Sequence, residues 1–321
     1  MARIFIVGSG VVGTATGRGF IEAGHDVSFI DVLPSRLQAL RSEGFDARDS
    51  IDLEDEPPAF LFLTLPTPNV GHHYDLSAFE AGTRSVGRAL RGAQLFHTVV
   101  VRSTVPPGTT DNLVKAILEQ ESGRLVDEGF SLASNPEFLR AASARDDFRW
   151  PWMTAVASRN RRTTERLSAL LAPFGGELRT YSDPTTAEFV KCAHNIYNAT
   201  KISFWNEMWL VARHLGVDID DVSSAVARSA EASFNASYGI HGGAPYGGVC
   251  LPKDTKGFLG FAGSEGLQMP LLEAVVEVND GLIAMATNGM AADLHLVPGT
   301  RRGDQIVIDL QNGSNKDELV G

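Results

Sequence analysis

Cysteine is scarce in this sequence, which contains only Cys192 and Cys250 among 321 residues. Two cysteines do not make a disulfide framework in a chain of this length, so we expect a reduced, cytoplasmic protein in which each thiol needs its own explanation. Positive charge is also scarce, because 28 lysines and arginines face 39 aspartates and glutamates, for a net charge of −11. A chain this acidic, without a lysine or arginine run, is not expected to bind nucleic acid.

Long apolar runs are missing as well. No apolar stretch reaches the ~18 residues that a membrane-spanning helix needs, so we expect no membrane partner. The apolar segment Ile4–Val7 runs directly into Gly8-Ser9-Gly10, which does not fit the apolar core of a signal peptide. With 43% hydrophobic residues, the chain can bury more than one core. At roughly 150 residues per domain, we expect about two domains.

The first part of the chain alternates short apolar runs with amphipathic segments, a pattern typical of β-α-β units around a parallel sheet. Valine-, isoleucine- and leucine-rich runs without strict alternation suit strands buried on both faces. We therefore predict an α/β fold, with a doubly wound Rossmann-type parallel sheet, over residues 1–182. The predicted strands are Arg3–Gly8, Asp26–Asp31, Ala59–Leu65, His97–Ser103, Ser131–Asn135, Met153–Ser158 and Glu177–Tyr181.

A different pattern begins at Asp183-Pro184, where an aspartate that can cap a helix precedes a proline suited to the first helical position. Apolar and small residues then recur at gaps of three and four, which predicts one long helix over 184–215. Its length of roughly 48 Å at 1.5 Å per residue is typical of a helix that links domains or lies in a subunit interface. Burial within one subunit is the plain alternative.

Further helices are predicted at 218–229 and 270–296, and a lone strand at Gln305–Leu310. We therefore predict an all-helical domain over residues 183–296. We expect two copies of the chain to form a homodimer through the central helices of this domain. Residues 297–321 are polar and are predicted to form a C-terminal tail.

The clearest motif is Gly8-Ser9-Gly10-Val11-Val12-Gly13, which lies between the first predicted strand and the first predicted helix. Glycines at these positions permit a tight turn, a close approach of backbone N–H groups to a pyrophosphate, and close packing of helix on strand. Asp31 ends the second strand, where a carboxylate can bind ribose hydroxyls and repels a 2′-phosphate. We therefore predict an NAD site. A flexible turn is the alternative, but it leaves Asp31 unexplained.

Other residues are placed to contact the same cofactor. Arg36 lies where it can reach the adenine end, although a solvated arginine is an equally good interpretation. Two proline-containing loops follow later strands and so lie at the carboxyl edge of the sheet, where ligands of such folds bind. The candidate cofactor residues are Gly8, Gly10, Val11, Val12, Gly13, Asp31, Arg36, Pro66, Thr67 and Thr104.

Cys250 has an unusual setting in Gly247-Gly248-Val249-Cys250-Leu251-Pro252-Lys253-Asp254. Pro252 is predicted to begin a helix, so the thiol lies just before a helix N-terminus and close to Lys253. Both features lower the pKa of a thiol. Such a thiolate can capture an aldehyde as a thiohemiacetal, which a second oxidation converts to a thioester. A buried core residue is the ordinary explanation of an isolated cysteine, and we adopt it for Cys192.

Three further residues are candidates for the chemistry. Lys191 and Asn195 lie four positions apart on one face of the long helix, where an ammonium and a carboxamide can stabilise an oxyanion. Glu137 follows a predicted strand and can act as a base toward water. Solvated helix side chains and a glutamate at a helix start are the alternatives.

Together, these segments resemble the UDP-glucose/GDP-mannose dehydrogenase family over roughly residues 1–295. The resemblance rests on Gly8–Gly13, Leu65–Pro68, Ser103–Thr109, Asn135–Arg140, Lys191 with Asn195, Asn206-Glu207 and Gly247–Asp254, in the family's order. It implies NAD as cofactor and oxidation of a nucleotide sugar's primary alcohol to a carboxylate in two hydride transfers. It also implies a central helical region that dimerises and a third domain that holds the nucleotide.

The resemblance implies roles for individual residues. Cys250 would be the nucleophile, Lys191 and Asp254 would handle the alcohol proton and the catalytic water, and Thr104 would help to hold that water. Asn195 would stabilise the oxyanion, and Glu137 would assist hydrolysis of the thioester. The residues implied to contact the substrate are Phe138, Leu139, Lys191, Asn195, Tyr246 and Gly247. No metal is expected.

The sequence also departs from the family pattern. Ala141 stands where an acidic residue is usual, His241 where lysine is common, and no arginine matches the one that reaches a partner's substrate. Pro151-Trp152-Met153-Thr154 is closer to the GDP-mannose branch. Because the printed chain ends at Gly321, where the third domain would begin, we expect a smaller or differently held alcohol, or a nucleotide-binding domain supplied by another chain.

Two other functions stay open at this point. The first is a two-electron hydroxyacid dehydrogenase that uses Lys191 and Asn195 without a covalent step. The cysteine-containing loop counts against it, because such enzymes do not need one. The second is a non-catalytic NAD-binding partner. Loss of activity normally removes the nucleophile and the base first, and both are present.

Overall fold

The structure is a computed structural model that describes residues 1–70, 73–229, 245–247 and 250–287, with residues 141, 250, 254 and 285–287 described by their backbone alone. The chain divides into two compact units, the first ending at Ile196 and the second beginning at Tyr197. The domain boundary that the sequence predicts between residues 182 and 183 stays a prediction.

The first unit is built on an eight-stranded sheet. Its strands are β1 (Arg3–Val7), β2 (Asp26–Ile30), β3 (Asp46–Arg48), β4 (Ala59–Leu63), β7 (His97–Val101), β8 (Phe130–Ser134), β9 (Met153–Ala157) and β10 (Glu177–Tyr181), and a separate hairpin pairs β5 (Asn69–Val70) with β6 (His73–Tyr74). The spatial order is β10-β9-β8-β7-β4-β1-β2-β3. The six strands from β3 to β8 in this order are parallel, whereas β9 runs antiparallel to β8 and β10 parallel to β9.

Helices connect these strands. They are α1 (Val11–Glu22), α2 (Pro34–Ser42), α3 (Ser77–Gly92), α4 (Lys115–Ser122, preceded by a π-helical turn over Thr110–Val114), α5 (Ala144–Arg149) and α6 (Arg161–Leu171). Strands β1, β4, β7 and β8 are buried along their whole length. Two apolar clusters account for this burial, one centred on Phe20, Phe29 and Phe62 and the other on Phe79, Leu90 and Phe130. The predicted doubly wound, Rossmann-type sheet is confirmed.

The differences from prediction are local. The first six predicted strands end one or two residues too late, because the first residues of the loops that leave the sheet were counted as strand. Short strand β3, the hairpin β5–β6 and helix α5 were not predicted, since each is too short to show periodicity. The antiparallel direction of β9 was also missed. Ser134, the last residue of β8, pairs with Ala157, the last residue of β9. Because the two strands are antiparallel, the first residues of β9 lie beside the segment that follows β8.

Helix α7 (Pro184–Leu215) begins in the first unit and continues in the second, with the bounds predicted from the sequence. The second unit also contains α8 (Ile219–Ala227), α9 (Cys250–Ser264) and α10 (Pro270–Thr287). Its core includes Val211, Ala262 and Met269. Glu207 caps α10, because its carboxylate accepts hydrogen bonds from the N–H groups of Leu271 (2.6 Å) and Leu272 (3.3 Å).

The predicted continuation of the last helix beyond residue 287, the strand at Gln305–Leu310 and the tail 297–321 lie outside the described residues. Within the part of the chain that is described, no helix combines the length and the apolar character that crossing a bilayer requires.

Candidate active site

The loop between β1 and α1 has the shape that a dinucleotide pyrophosphate requires. Gly8 adopts φ +97°, and a Cβ there would lie 2.6 Å from the carbonyl oxygen of Thr64. A Cβ at Gly13 would lie 2.0 Å from the carbonyl oxygen of Gly8, whereas a Cβ at Gly10 would meet nothing within 4 Å. Gly8 and Gly13 therefore serve the turn and the helix packing, and Gly10 leaves open space at the N-terminus of α1, where the helix dipole favours an anion.

Asp31 is held beside this loop at the end of β2. Its Oδ2 accepts hydrogen bonds from the backbone N–H (2.8 Å) and the hydroxyl (2.6 Å) of Ser9, and Oδ1 accepts one from Leu33 N–H (2.9 Å). Burial raises the pKa of Asp31, but the bonds from Ser9, Leu33 and Arg36 outweigh it, so the pKa lies below its ordinary value. The side chain is therefore a carboxylate at neutral pH, as an acceptor for ribose hydroxyls must be.

Arg36 is the partner of this carboxylate, with Nη1 3.3 Å from Asp31 Oδ2. The sequence left open whether Arg36 reaches an adenine or is only solvated, and its contact with Asp31 favours a place beside the cofactor loop. Val11 lies exposed at the N-terminus of α1, beside a half-buried Val12. The loop as a whole fits a bound dinucleotide.

Two loops at the carboxyl edge of the sheet are tied to each other. The Thr67 hydroxyl, one residue after Pro66, donates to the carbonyl oxygen of Thr104 (2.7 Å), and the Ser103 hydroxyl donates to that of Leu65 (2.7 Å). Thr64 completes the connection, because its hydroxyl donates to the carbonyl oxygen of Gly8 (2.6 Å). The loops after β1, β4 and β7 therefore form one hydrogen-bonded edge, and the predicted cofactor residues 66, 67 and 104 belong to it.

Lys191 and Glu137 form a buried ion pair. Lys191 Nζ lies 3.1 Å from Glu137 Oε1, and the two side chains are only 6% and 10% exposed. Glu137 Oε2 accepts a hydrogen bond from the N–H of Leu139 (2.5 Å), and the ammonium lies 5.4 Å from the ring centre of Phe138. Four of the predicted site residues are thus brought together by α7 and the segment after β8.

Arg102, which the sequence analysis did not single out, lies beneath this pair. Its guanidinium donates to Thr16 Oγ1 in α1 (3.0 Å) and to Asn135 Oδ1 (2.5 Å). Burial lowers the pKa of Arg102 to about 10, while the negative charge of Glu137 raises it. Glu137 therefore compensates two buried cations. An arginine that ends an apolar strand, as in Val101-Arg102-Ser103, is the signal by which the sequence could have identified it.

Asn195 is exposed and lies one helical turn beyond Lys191. Its Oδ1 is 3.2 Å from His194 Nδ1. His194 is stacked on Trp152 (centroids 5.6 Å apart, planes at 26°) and meets the edge of Phe138 (5.2 Å). Neither His194 nor Trp152 was a predicted site residue, because no spacing rule connects them before the fold is known.

The same helix is fastened to the loop after β7 by Glu188. This buried carboxylate accepts hydrogen bonds from Gly108 N–H (2.6 Å) and from the N–H (2.8 Å) and hydroxyl (2.5 Å) of Thr110. Burial raises the pKa of Glu188 even though these bonds oppose the shift. One turn along, the thiol of Cys192 donates to the Val105 carbonyl (3.6 Å).

Cys192 is half-buried, and burial raises the pKa of its thiol. A thiol that is held protonated and hydrogen-bonded to backbone suits the structural role that the sequence suggested for it.

The remaining predicted site residues belong to the second unit. The Tyr246 N–H donates to the buried Asn279 Oδ1 of α10 (2.7 Å), and Gly247 follows it. Helix α9 begins at Cys250, two residues earlier than the predicted start at Pro252, so Cys250 is the first helical residue. The side chains of Cys250 and Asp254 lie outside the described residues, and so does His241. Their roles stay predictions.

Among the side chains that the structure describes, no group of three or more histidines, cysteines, aspartates or glutamates is arranged to hold a metal ion.

A Rossmann-type sheet with an open glycine loop and a carboxylate at the end of β2 is typical of NAD-dependent dehydrogenases. Family models place the chain within that class. The NAD binding domain of the UDP-glucose/GDP-mannose dehydrogenase family matches residues 46–175, and the central domain of that family matches residues 185–281. The chain belongs to this family and is an NAD-dependent oxidoreductase.

Individual relatives agree with the family models. The chain is 32% identical over 306 residues to the UDP-glucose 6-dehydrogenase AglM of Haloferax volcanii, covering 87% of this chain and 70% of that protein. It is 30% identical over 311 residues to the GDP-mannose 6-dehydrogenase of Pseudomonas syringae pv. tomato, covering 90% and 70%. A crystal structure of a ternary complex of GDP-mannose dehydrogenase from Pseudomonas aeruginosa superposes with a TM-score of 0.81 at 26% identity, covering 91% of this chain and 71% of that one.

Substitution of Gly13 and Gly10 tests whether the first serves helix packing and the second leaves space for the pyrophosphate. Gly13→Ala places a methyl group against the Gly8 carbonyl, so we expect it to lower the free energy of unfolding by about 1–3 kcal/mol. Gly10→Ala meets no atom, so we expect little loss of stability but at least about a tenfold loss of NAD affinity, because the methyl group occupies the space of the pyrophosphate. Denaturant unfolding and calorimetric NAD titration measure the two effects. Unchanged NAD affinity in Gly10→Ala would contradict the assignment.

The buried charges predict an asymmetry between the two halves of the ion pair. Glu137→Gln leaves the cations of Lys191 and Arg102 uncompensated, so we expect a loss of about 3–5 kcal/mol in the free energy of unfolding. Lys191→Met leaves Arg102 as a partner for the carboxylate and is expected to cost less. Denaturant unfolding compares both variants with the double variant, which we expect to be more stable than Glu137→Gln alone. A greater loss in Lys191→Met would contradict this account.

Proposed function

We propose that the protein oxidises a primary alcohol of a nucleotide sugar to the carboxylate in two successive NAD-dependent steps. The observation that carries the proposal is the buried Lys191–Glu137 pair, with Nζ and Oε1 3.1 Å apart, at the carboxyl edge of a dinucleotide-binding sheet. The relatives named above as UDP-glucose and GDP-mannose 6-dehydrogenases support the class of substrate.

Four residues of the first unit would hold the cofactor. Gly8, Gly10 and Gly13 would shape the pyrophosphate site at the N-terminus of α1, and Asp31 would accept the ribose hydroxyls. NAD bound there supplies a hydride acceptor in each step. In total, one alcohol, one water and two NAD⁺ give one carboxylate, two NADH and three protons.

Lys191 would stabilise the alkoxide that forms when the alcohol loses its proton. An ammonium held between a carboxylate and an aromatic face is fixed in direction, so it donates to a substrate oxygen without reorganising. Glu137, the partner of Lys191, would accept a proton from water during hydrolysis. Asn195, one turn along α7, would donate its amide N–H to the oxyanion, and Thr104 would help to hold the water.

The covalent step is proposed for Cys250. Its sulfur would bond to the aldehyde carbon while the thiol proton passes to the carbonyl oxygen, forming a thiohemiacetal. Loss of the second hydride and of the hydroxyl proton leaves a thioester, and water then releases the carboxylate and restores the thiol. Asp254, in the same helix, would act with Lys191 on the protons, and Tyr246 with Gly247 would contact the substrate.

Counting NADH tests the reaction. With limiting UDP-glucose or GDP-mannose, we expect two NADH per carboxylate formed, measured by absorbance and by mass spectrometry of the product. Cys250→Ser should abolish carboxylate formation while NAD affinity is unchanged, because the cysteine does not belong to the cofactor site. Cys192→Ser is the matched control and should retain activity. One NADH per substrate would indicate a two-electron dehydrogenase, and carboxylate formation by Cys250→Ser would exclude the covalent route.

We also propose a homodimer formed through the central helices. Large apolar side chains of α7, including Ile202 at 60% exposure, face solvent in the single chain, and an apolar surface of this kind is typical of an interface. Light scattering should give the mass of two chains. Ile202→Glu should shift the mass toward one chain, whereas Leu125→Glu on the first unit should not. A cytoplasmic location stays a prediction.

A further inference from the structure

Three aromatic side chains gather beside the Lys191–Glu137 pair, and two of them, Trp152 and His194, have no part in the chemistry described above. Phe138 meets Trp152 edge to face (5.5 Å between centroids) and His194 likewise (5.2 Å), and Trp152 and His194 are stacked at 5.6 Å. We call these three residues the aromatic platform. Each ring contacts the other two, so the platform is one continuous surface.

The backbone that carries the platform is rigid. Trp152 immediately precedes β9, and its carbonyl oxygen accepts a hydrogen bond from Glu177 N–H (3.1 Å). Gly176, at φ +78°, lies so close to Pro151 that a Cβ would be 2.2 Å from its carbonyl oxygen. His194 projects from α7, which Glu188 fastens to the sheet edge. The indole is therefore held in place by the sheet rather than carried on a free loop.

Trp152 nevertheless remains 57% exposed, although it contacts two other rings. Burying an indole on folding is strongly favourable, so an indole that is fixed and still open to solvent offers unused apolar area to a ligand. The adjoining end of the platform is polar, because His194 lies 3.2 Å from Asn195 Oδ1 and Phe138 contacts the Lys191 ammonium. A ligand with an apolar face and polar edges matches this surface.

We propose that the aromatic platform binds the pyranose ring of the substrate, with Trp152 as the principal stacking side chain. The C–H groups on one face of a pyranose carry partial positive charge and complement the negative face of an aromatic ring, while the ring hydroxyls reach polar neighbours. This assignment rests on the proposed function, which places the reacting carbinol at Lys191.

The position of the platform selects the sugar rather than the base. The carbinol is bonded directly to the pyranose, so the ring must lie next to the ion pair, and Phe138 is only 5.4 Å from Lys191 Nζ. The base of a nucleotide sugar is separated from the carbinol by the pyranose, the diphosphate and the ribose. The pyranose, and not the base, is therefore the part of the substrate that must lie beside the ion pair.

Trp152→Ala, Trp152→Phe and Trp150→Ala test the proposal. Trp150 is the matched control, since it is 72% exposed and lies beside Arg149 rather than in the platform. We expect Trp152→Ala to raise KM for UDP-glucose or GDP-mannose about tenfold, with kcat and the KM for NAD little changed, and Trp152→Phe to recover most of the loss. Trp150→Ala should match the wild type. Thermal unfolding verifies that each variant is folded.

Binding measured without turnover separates this proposal from the proposed function. Saturation-transfer NMR with methyl glucopyranoside and methyl mannopyranoside should show binding that Trp152→Ala weakens, whereas UDP and GDP should bind both proteins alike. If no nucleotide sugar is oxidised but pyranoside binding still depends on Trp152, the proposed function is contradicted while the proposed role of the aromatic platform is supported. If nucleotide sugars are oxidised with a KM that Trp152→Ala leaves unchanged, or if UDP and GDP binding falls instead, the platform is wrong.

Discussion

The arrangement of the site depends on how the first turns of α7 are fastened to the carboxyl edge of the sheet. The buried carboxylate of Glu188 accepts three hydrogen bonds from the loop after β7, and one turn later Lys191 pairs with Glu137 after β8. Positions 188, 191, 192 and 195 follow the three- and four-residue spacing of one helix face. A single helix face therefore carries both the anchoring carboxylate and the side chains proposed to act on the substrate, so the anchor fixes the position of those side chains.

A second constraint is the balance between the buried charges of Arg102, Lys191 and Glu137 at the carboxyl edge of the sheet. Arg102 connects Thr16 in the cofactor-binding helix with Asn135, two residues before Glu137, and its pKa is lowered to about 10 by burial. This contact joins the dinucleotide loop and the ion pair into one rigid region. Hydride transfer requires such rigidity, because cofactor and substrate must be held at a fixed separation.

The glycine loop, Asp31, the central strands and the full extent of α7 could be predicted, since each depends on local backbone geometry or on a regular hydrophobic period. Glu188 could have been found as well, because it lies three positions before Lys191. Trp152 and His194 could not, since their contact depends on where α7 lies against the sheet edge and on the antiparallel direction of β9 relative to β8. That direction is set by pairing across the sheet, which leaves no mark in the local sequence.

The buried charges also bear on why these residue types are present. An apolar pair of similar volume in place of a buried ion pair is often neutral or stabilising by about 1–4 kcal/mol, so the fold alone does not call for Lys191 and Glu137. The opposite holds for Phe20 and its aromatic neighbours, whose burial does contribute to stability. Buried charges beside a dinucleotide-binding loop are characteristic of sites where charge develops during a reaction. The ion pair is therefore better explained by the proposed oxidation of an alcohol than by the stability of the sheet to which it is attached.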